Sequence, residues 1–272
     1  MKNKRQGIRQ AHKNDWSKFH SVDKQLFPDD EMRKTEFEKR VSYNGFFILE
    51  DKSGQLDGYL ILRRSGKNHG HLGRIGVALA KQKTGLGTKL MQYALNWFKK
   101  QGEIQKIVLY TQHDNHSAQT LYSRFNFAIT GTTWQYRVPL SQLSPLGKYR
   151  CTLIQSDEID AVEDLFSSAL QIGQIQHFLD RDQRIFILRD SEDRIVGVCR
   201  FTPEFPGCFP FEIIHLDCFD DFLAGLLPYS LPKYDYTRIT FTNNSTLAKL
   251  CNKRGFELHH KLFEMTAALT GK

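Results

Sequence analysis

The chain has 272 residues, 40% of them hydrophobic and 12% aromatic, which is enough for the cores of two domains of ordinary size. No apolar run reaches the roughly 18 residues that a membrane-spanning helix needs, and the polar, basic segment Met1 to Gln10 shows no signal peptide. The five cysteines include no C-x-x-C pair, which argues against a disulfide framework or a zinc site and predicts a reducing, cytoplasmic location without a bound metal.

Charge divides the sequence into two halves. Residues 1–140 contain 24 Lys/Arg and 12 Asp/Glu, a net charge of +12, whereas residues 141–272 contain 14 and 18, a net charge of −4. The basic first half predicts an anionic partner, although a solvated, lysine-rich surface explains much of the excess. Because no zinc-finger spacing, RNP aromatic motif or helix-turn-helix signature occurs, nucleic acid is not the partner we expect.

The hydrophobic pattern of the first half predicts alternating strands and helices. A glycine-containing turn separates the fourth strand from an amphipathic helix. In chain order we predict a strand at 6–11, helices at 15–27 and 29–41, a hairpin of strands at 45–51 and 56–64, a strand at 72–79, a helix at 88–98, a strand at 106–111, a helix at 117–125 and two closing strands within 127–138.

Residues 139–147 contain two prolines, two serines and a glycine, which is typical of a linker. After it the order of elements begins again. We predict a strand at 149–155, a helix at 158–170, a hairpin of strands at 184–189 and 194–201, a strand at 211–218, a helix at 221–227 and a strand at 237–242.

Two segments about 130 residues apart resemble each other. When residues 115–127 are laid over residues 244–256, the aligned pairs are Asn115 with Asn244, Leu121 with Leu250, Tyr122 with Cys251 and Phe127 with Phe256. Self-similarity at a fixed period indicates an internal duplication, with two unrelated domains as the alternative.

The turn Gln82–Thr88 (QKTGLGT) carries the first functional signal. Gly85 and Gly87 lack a Cβ, so an anion can approach backbone N–H groups that lie at the positive end of the following helix. Taken alone, an ordinary tight turn explains these residues equally well. The segment is not a Walker loop, because no Gly-Lys-Ser/Thr follows, and it lacks the third glycine of the dinucleotide fingerprint.

Together the turn and the segment after the fifth strand resemble the GNAT superfamily of acyl-CoA-dependent N-acyltransferases. The family motif Q/R-x-x-G-x-G/A is matched by Gln82, Gly85 and Gly87. The motif N-x-x-A-x-x-L-Y-x-x-x-G-F is matched by Asn115, Ala118, Leu121, Tyr122 and Phe127. Asn126 replaces the usual glycine, and Asn is the non-glycine residue that best tolerates a left-handed helix cap. With the strand that precedes them, the two motifs cover residues 77–127, and the order of elements extends the resemblance to about residues 1–140.

The resemblance implies an α/β protein with two tandem GNAT-like domains, each a mixed, mostly antiparallel sheet flanked by helices. Residues 1–140 would form the domain that binds acetyl-CoA and is catalytic. Residues 148–272 would form a degenerate copy, because its turn Cys218–Asp221 has two carboxylates and no glycine, and Cys251 stands at the tyrosine position. We expect this copy to bind acyl-CoA weakly or not at all. Since tandem domains can mimic a dimer, a monomer is the simplest expectation.

The resemblance also assigns roles to individual residues. Val77 and Leu79 would lie along the pantetheine arm, which pairs with the fourth strand like an added strand. Asn115 would contact the pantetheine or, equally well, cap the helix that follows it. Lysines 81, 83 and 89 could add attraction for phosphate or be solvated. The pyrophosphate would be held by the loop that consists of Gln82, Lys83, Thr84, Gly85, Leu86, Gly87 and Thr88.

In the family, the tyrosine that corresponds to Tyr122 points its hydroxyl at the thioester sulfur and protonates the sulfur as the thiolate leaves. A core tyrosine on the apolar face of its helix is the alternative. The attacking amine must also lose a proton, and the fourth strand contains no carboxylate to accept it. His71, His113 and Asp114 are the available candidates, each more simply explained as a surface or structural residue.

The expected function is therefore N-acetyl transfer from acetyl-CoA to an amine acceptor by direct attack, with Tyr122 as general acid. The acceptor stays open among small-molecule amines, antibiotics, protein N-termini and lysine side chains. Asp29, Asp30 and Glu31 lie near the expected acceptor loop, although helix capping explains them more simply. The main alternative is a non-catalytic acyl-CoA-binding regulatory or interaction module, and a weaker one is attachment to nucleic acid through the basic first half.

Overall fold

The structure is a computed structural model in which residues 7–28 and 30–269 are described. In the first half the strands are β1 (Gly7–Gln10), β2 (Phe46–Glu50), β3 (Leu56–Arg64), β4 (His69–Val77), β5 (Lys106–Gln112) and β6 (Ala128–Pro139). The helices of this half are α1 (Trp16–Leu26), α2 (Lys34–Val41), α3 (Leu86–Lys100) and α4 (His116–Ser123).

The second half repeats this order. Its strands are β7 (Arg150–Leu153), β8 (Arg184–Arg189), β9 (Ile195–Thr202), β10 (Gly207–Ile213), β11 (Tyr236–Thr242) and β12 (Glu257–Ala268). Its helices are α5 (Ile159–Leu165), α6 (Gln174–Leu179), α7 (Phe219–Leu226) and α8 (Ser245–Lys253). The predicted fold class, a mixed and mostly antiparallel α/β protein with two similar halves, is confirmed.

The strands of the described residues form one 12-stranded sheet in the order β1-β2-β3-β4-β5-β12-β6-β11-β10-β9-β8-β7. The pairs β4/β5 and β10/β11 are parallel, and the other neighbours are antiparallel. The halves exchange their last strands: β12 pairs with β5 from Leu262↔Gln112 to Ala268↔Lys106, while β6 pairs with β11. The boundaries predicted at residues 140 and 148 fall in the connection between β6 and β7. The core of the first half nevertheless contains Met265 and Ala267 of β12.

The prediction of two closing strands within 127–138 is wrong, because the structure has the single strand β6 there. No turn forms at Gly131, where the side chain of Asn243 from the other half lies against the backbone. Its Oδ1 accepts a hydrogen bond from the Thr132 N–H at 3.0 Å, and a Cβ on Gly131 would lie 2.8 Å from its amide atoms. The glycine therefore serves a close approach between the two halves and not a hairpin turn.

Helices cover the two faces of the sheet unevenly. One face, called here the α3 face, carries α3 and α4 on the first half and α7 and α8 on the second. The opposite face, called here the α1 face, carries α1 and α2 at one end and α5 and α6 at the other. On the α1 face the central strands β5, β12, β6 and β11 present polar side chains, so a groove lies between the two helical layers.

Candidate functional site

The turn before α3 has the open geometry that an anion site requires. Gly85, the N-cap of α3, has φ of 88°, and Lys83 has φ of 61°, so the backbone curls with positive φ at both positions. A Cβ built on Gly85 would meet no atom within 4 Å, and residues 82–85 are exposed. The first turn of α3 has no acidic residue, so nothing there opposes the positive end of the helix.

The same turn packs directly on α4. A Cβ on Gly87 would lie 3.1 Å from the Cδ2 atom of Leu121, so the start of α3 packs closely on α4 at this position. Tyr122 is the next residue along α4. The two motifs that lie apart in the sequence therefore meet at one place in the fold.

Within the sheet, the neighbouring strands β4 and β5 diverge. They pair from His69↔Lys106 to Leu72↔Leu109, and past that point they have no paired residues although both strands lie within the described chain. Strand β4 continues to pair with β3 as far as Val77↔Gly58, with a bulge between Leu72 and Arg74. The edge of β4 that faces β5 is thus left open to a strand-like ligand along its last residues.

Tyr122 belongs to the apolar cluster under α3, which also contains Leu72 and Leu109, the last paired residues of β4 and β5. Its side chain is 6% exposed, its ring centroid is 6.2 Å from that of Phe127, and burial raises its pKa above the ordinary value. The phenol is therefore protonated at neutral pH and has a proton to donate.

Several predicted binding residues have partners within the protein. Gln82 folds back so that its Nε2 donates to the Val77 carbonyl at 3.2 Å, and the Thr84 hydroxyl donates to a backbone carbonyl at 2.6 Å. Lys81 lies 3.3 Å from the buried Asp57 carboxylate. The strand ends at Val77, so Leu79, which is 56% exposed, lies in a 3-10 turn and not in the predicted strand. Leu86 and Thr88 belong to the first turn of α3.

Asn115 caps α4, since its Oδ1 accepts a hydrogen bond from the Ala118 N–H at 3.0 Å. In the second half, Asn244 caps α8 in the same way, accepting from the Leu247 N–H at 2.9 Å. The capping interpretation thus accounts for both asparagines and supports the internal duplication. Lys83 and Lys89 are exposed.

The predicted acidic residues of the acceptor loop are partly neutralised. Arg74 on β4 donates to the buried Asp23 carboxylate at 2.8 and 3.0 Å, and it also pairs with Asp30. This arginine holds the α1–α2 loop against the point where β4 leaves β5. Asp29 lies outside the described residues, and Glu31 is exposed.

Of the candidate bases, His71 is bonded through Nδ1, which accepts from Arg63 Nε at 2.8 Å. Burial and the Arg63 charge lower the pKa of His71 well below its ordinary value, so the ring is neutral and its proton is on Nε2. In this state the Nε2–H group of His71 can donate a hydrogen bond toward the groove, but it cannot accept a proton from a group there. His113 and Asp114 lie beyond the end of β5.

The sequence analysis missed a carboxylate contributed by the exchanged strand. Glu264 on β12 lies opposite Tyr110, the first residue of β5 past its last pair with β4. The Tyr110 hydroxyl donates to Glu264 Oε2 at 3.1 Å, and the Thr130 hydroxyl donates to Oε1 at 2.9 Å. Only the pairing of β12 with β5, which no local pattern predicts, could have revealed this contact.

Tyr110 also borders a cavity of about 280 Å³ on the α1 face, which both halves of the chain enclose. Its lining residues are Tyr110, Thr133, Gln135, Arg200, Thr202, Phe205, Gly207, Cys208, Phe209, Arg238, Thr240 and Leu262. The cavity is near the lower end of the size range of small-molecule sites and combines apolar rings with a few polar groups.

The second half differs at the corresponding turn. Asp221 accepts hydrogen bonds from the N–H groups of Gly147 and Lys148, both at 2.9 Å, and Asp220 pairs with Arg254 at 2.7 Å. Cys251, in the place of Tyr122, is buried, which raises its pKa to about 12. The start of α7 is therefore occupied by carboxylates that hold other parts of the protein.

Two general findings concern the described part of the chain, residues 7–28 and 30–269. No helix there is both long and apolar enough to cross a bilayer. No group of three or more His, Cys, Asp and Glu side chains is arranged to bind a metal ion.

Comparison with known proteins agrees with the geometry. Residues 8–127 match the model of the acetyltransferase (GNAT) family. A GCN5-related N-acetyltransferase from Sphaerobacter thermophilus is similar over 97% of this chain and 96% of its own, with a TM-score of 0.71 and 11% identity. A tandem GNAT protein from the clavulanic acid biosynthesis pathway is similar over 98% and 99%, with a TM-score of 0.65 and 10% identity. At these identities the structures establish the fold alone. Comparison with curated protein sequences gave no match.

Proposed function

Because the first half of the chain belongs to the GNAT superfamily and the whole chain has a tandem GNAT fold, we propose that the protein is an N-acyltransferase that uses acetyl-CoA and an amine acceptor. The observation that carries the proposal is the contact between Gly87 and Leu121. This contact sets the exposed turn before α3 against the helix that carries Tyr122, and it supports the assignment of both to one site.

In this proposal the first half holds the co-substrate. The backbone N–H groups from Lys83 to Thr88 bind the pyrophosphate, and the free edge of β4 up to Val77 pairs with the pantetheine arm. The exposed Lys83 and Lys89 add attraction for phosphate. Lys81 is assigned a structural role, since it offsets the charge of Asp57. Asn115 is assigned to capping and keeps α4 in place.

Acetyl-CoA supplies an activated thioester, and the protein supplies the proton transfers. Tyr122 donates its phenolic proton to the sulfur as the carbon–sulfur bond breaks. The nitrogen of the amine forms the new bond to carbon and must lose a proton. We assign that proton to Glu264, through the Tyr110 hydroxyl that bonds to it at 3.1 Å. Both groups lie on the α1 face, where the acceptor would approach.

Replacing Glu264 with Gln tests the assignment of the base. The amide keeps the shape but cannot accept the proton, so we expect kcat to fall about 100-fold, within the usual range for general bases. Thr130→Val removes the neighbouring hydroxyl and is the matched control, with a much smaller loss expected. An unchanged rate for Glu264→Gln would rule out this role.

The function itself is tested by following thiol release from acetyl-CoA with a panel of small amines, aminoglycosides and peptides. Release that depends on the acceptor, with a matching acetylated product in the mass spectrum, is the expected result. The rival function is an acyl-CoA-binding regulatory module. The turn is present in both cases, so CoA binding alone does not separate the two functions. Calorimetry that gave tight CoA binding, together with no turnover on any acceptor, would favour the rival.

We further propose that the second half binds no CoA and serves the site through β12. The carboxylates at the start of α7 disfavour a pyrophosphate. Calorimetry should accordingly give one CoA per chain. A stoichiometry of two would contradict the assignment.

A further inference from the structure

The cavity on the α1 face contains two arginines that have no carboxylate partner. Arg200 of β9 and Arg238 of β11 both line it, and neither forms an ion pair within residues 7–28 and 30–269. The Nε atom of each is buried without a hydrogen-bond partner. A buried charge or donor left without a partner is costly, so two of them in one cavity indicate a missing anion.

The surroundings of each guanidinium hold it in place without neutralising it. Arg200 Cζ lies 4.6 Å from the ring centroid of Phe178, and its NH1 donates to the Gln183 amide at 3.2 Å. Arg238 Cζ lies 4.1 Å from the ring centroid of Phe205. Burial lowers the pKa of Arg200 to about 10, which still leaves the group charged at neutral pH.

The cavity has an opposite end of different chemistry. Tyr110, with Glu264 hydrogen-bonded to it, borders the cavity at the point where β5 leaves β4. The Phe209 ring lies between the two ends, with its centroid 5.7 Å from that of Tyr110 and 5.9 Å from Arg200 Cζ. Tyr110, which is bonded to Glu264, and two cations without a carboxylate partner thus border the same cavity, and among residues 7–28 and 30–269 no Asp or Glu lines it.

We propose that this cavity binds a small acceptor that carries an oxyanion group, a carboxylate or a phosphate-like group, in addition to its amine. Arg200 and Arg238 bind the anionic group, and the amine is directed toward Tyr110 and Glu264. Guanidinium groups suit this task because their planar N–H donors match carboxylate and phosphate oxygens. The role of the amine rests on the proposed acyl transfer, whereas the anion site is inferred from the arginines of the cavity alone.

Direct binding without acetyl-CoA tests the site separately from turnover. By calorimetry on the full chain we would compare γ-aminobutyrate, ornithine and free dipeptides with neutral amines of the same length, and with aminopropylphosphonate. The anionic compounds should bind at least about 10-fold more tightly than their neutral counterparts, as expected for one charge-assisted hydrogen-bonded contact. The ratio between the carboxylates and the phosphonate identifies which oxyanion the site prefers.

Arg238→Gln is the first variant, because within the described part of the chain its guanidinium has no polar side-chain partner that the change would leave unsatisfied. We expect affinity for the anionic compounds to fall about 10- to 100-fold, with neutral amines unaffected. Arg200→Gln should do the same. Arg150→Gln, which removes an exposed arginine paired with Asp193, is the matched control and should change nothing.

The outcomes separate the two proposals. If neutral and anionic compounds bind equally, or if both arginine variants keep wild-type affinity for the anions, the anion site is wrong even if thiol release proceeds. If the anionic compounds bind through these arginines and no acetyl transfer occurs, the anion site stands and the proposed acyl transfer fails.

Discussion

The two halves of the chain start equivalent helices in opposite ways. Before α3, Lys83 and Gly85 adopt positive φ, the turn is exposed and the first helical turn has no acid. In the first turn of α7, Asp220 is held by Arg254, and Asp221 is held by the backbone of the connection that follows β6. The same fold therefore leaves a helix N-terminus free to bind an anion in one copy and uses it to fasten the connection between the halves in the other.

The difference extends to the neighbouring strands and helices. Where the first half has a free edge on β4, the corresponding strand β10 contains Pro210, which has no N–H to offer a ligand. Beneath β10, the buried rings of Phe211 and Phe222 lie with centroids 5.4 Å apart and fill the core. Strand β10 also leaves β11 after the pair Cys208↔Ile239, so an edge persists in the second half, but it lacks the N–H at Pro210. The second copy retains its shape and supplies β12 to the first.

The strand exchange predicts the largest effect. A fragment of residues 1–147 lacks β12, which leaves β5 without its neighbour and removes Met265 and Ala267 from the core of the first half. Losing a buried methionine alone costs about 2–5 kcal/mol, a large share of the stability of an ordinary domain. We expect the fragment to show no cooperative thermal unfolding by circular dichroism and no CoA binding by calorimetry.

The matched control is the full chain with a protease site introduced into residues 140–147 and cut after folding. Because the exchanged strands remain in place, the cut protein should stay assembled and bind CoA. A monomeric 1–147 fragment that unfolds cooperatively and binds CoA would show that β12 can be dispensed with, and that the halves are separable domains.

The second prediction contrasts Tyr122 with Cys251. Tyr122→Phe removes one oxygen from a buried side chain and leaves the ring in the core, so we expect kcat to fall about 100-fold with KM nearly unchanged. Cys251→Ser, at the equivalent position of the second half, should leave kcat at the wild-type value. Steady-state thiol release measures both, and equal rates for wild type and Tyr122→Phe would exclude the general-acid role.

The third prediction introduces at the start of α3 the kind of carboxylate that is found at the start of α7. Gly85→Asp places a carboxylate at the start of α3, and repulsion of the pyrophosphate should weaken CoA binding about 30-fold or more by calorimetry. Gly85→Asn carries the same backbone strain without charge and should lose much less. Gly102→Asp adds the same charge at another exposed glycine of positive φ and tests the effect of net charge alone. Equal losses for Gly85→Asp and Gly85→Asn would point to strain and not to an anion site.

Much of this comparison could be predicted from local sequence. The turn, the left-handed cap at Asn126, with φ of 63°, and the duplication of Asn115 in Asn244 all depend on neighbouring residues, and the structure confirms these features. Elements within each half follow the hydrophobic pattern, with errors mainly at their ends, such as the strand predicted to reach Leu79 that ends at Val77.

The features that depend on distant residues could not be predicted. Nothing in β6 or β12 indicates that each completes the other half, because a strand's own pattern does not name its neighbour. The neighbours of Glu264 and Arg238 in the sequence therefore do not indicate a functional role for either residue. The role proposed for Glu264 depends on its contact with Tyr110, and that of Arg238 depends on a cavity that both halves enclose. The proposed general acid, Tyr122, could be predicted from a motif, whereas the proposed proton acceptor, Glu264, could not.

The smallest expected effect concerns the turn after the last helix of each half. Asn126 and Gly255 both adopt positive φ, 63° and 70°, and the following N–H bonds back to the carbonyl of residue 122 or 251 at 3.2 or 3.1 Å. Since the two turns have the same geometry, exchanging their residues should have opposite effects. Asn126→Gly removes the strain of a non-glycine residue in the left-handed region and should raise the free energy of unfolding by less than about 0.5 kcal/mol. Gly255→Asn introduces that strain and should lower the free energy of unfolding by about 0.5–1 kcal/mol. Urea unfolding measures both, with the slope as a check that the cooperative unit is unchanged. If Gly255→Asn cost several kcal/mol, the equivalence of the turns would be limited to their backbones, and packing around Gly255 would have to differ from packing around Asn126.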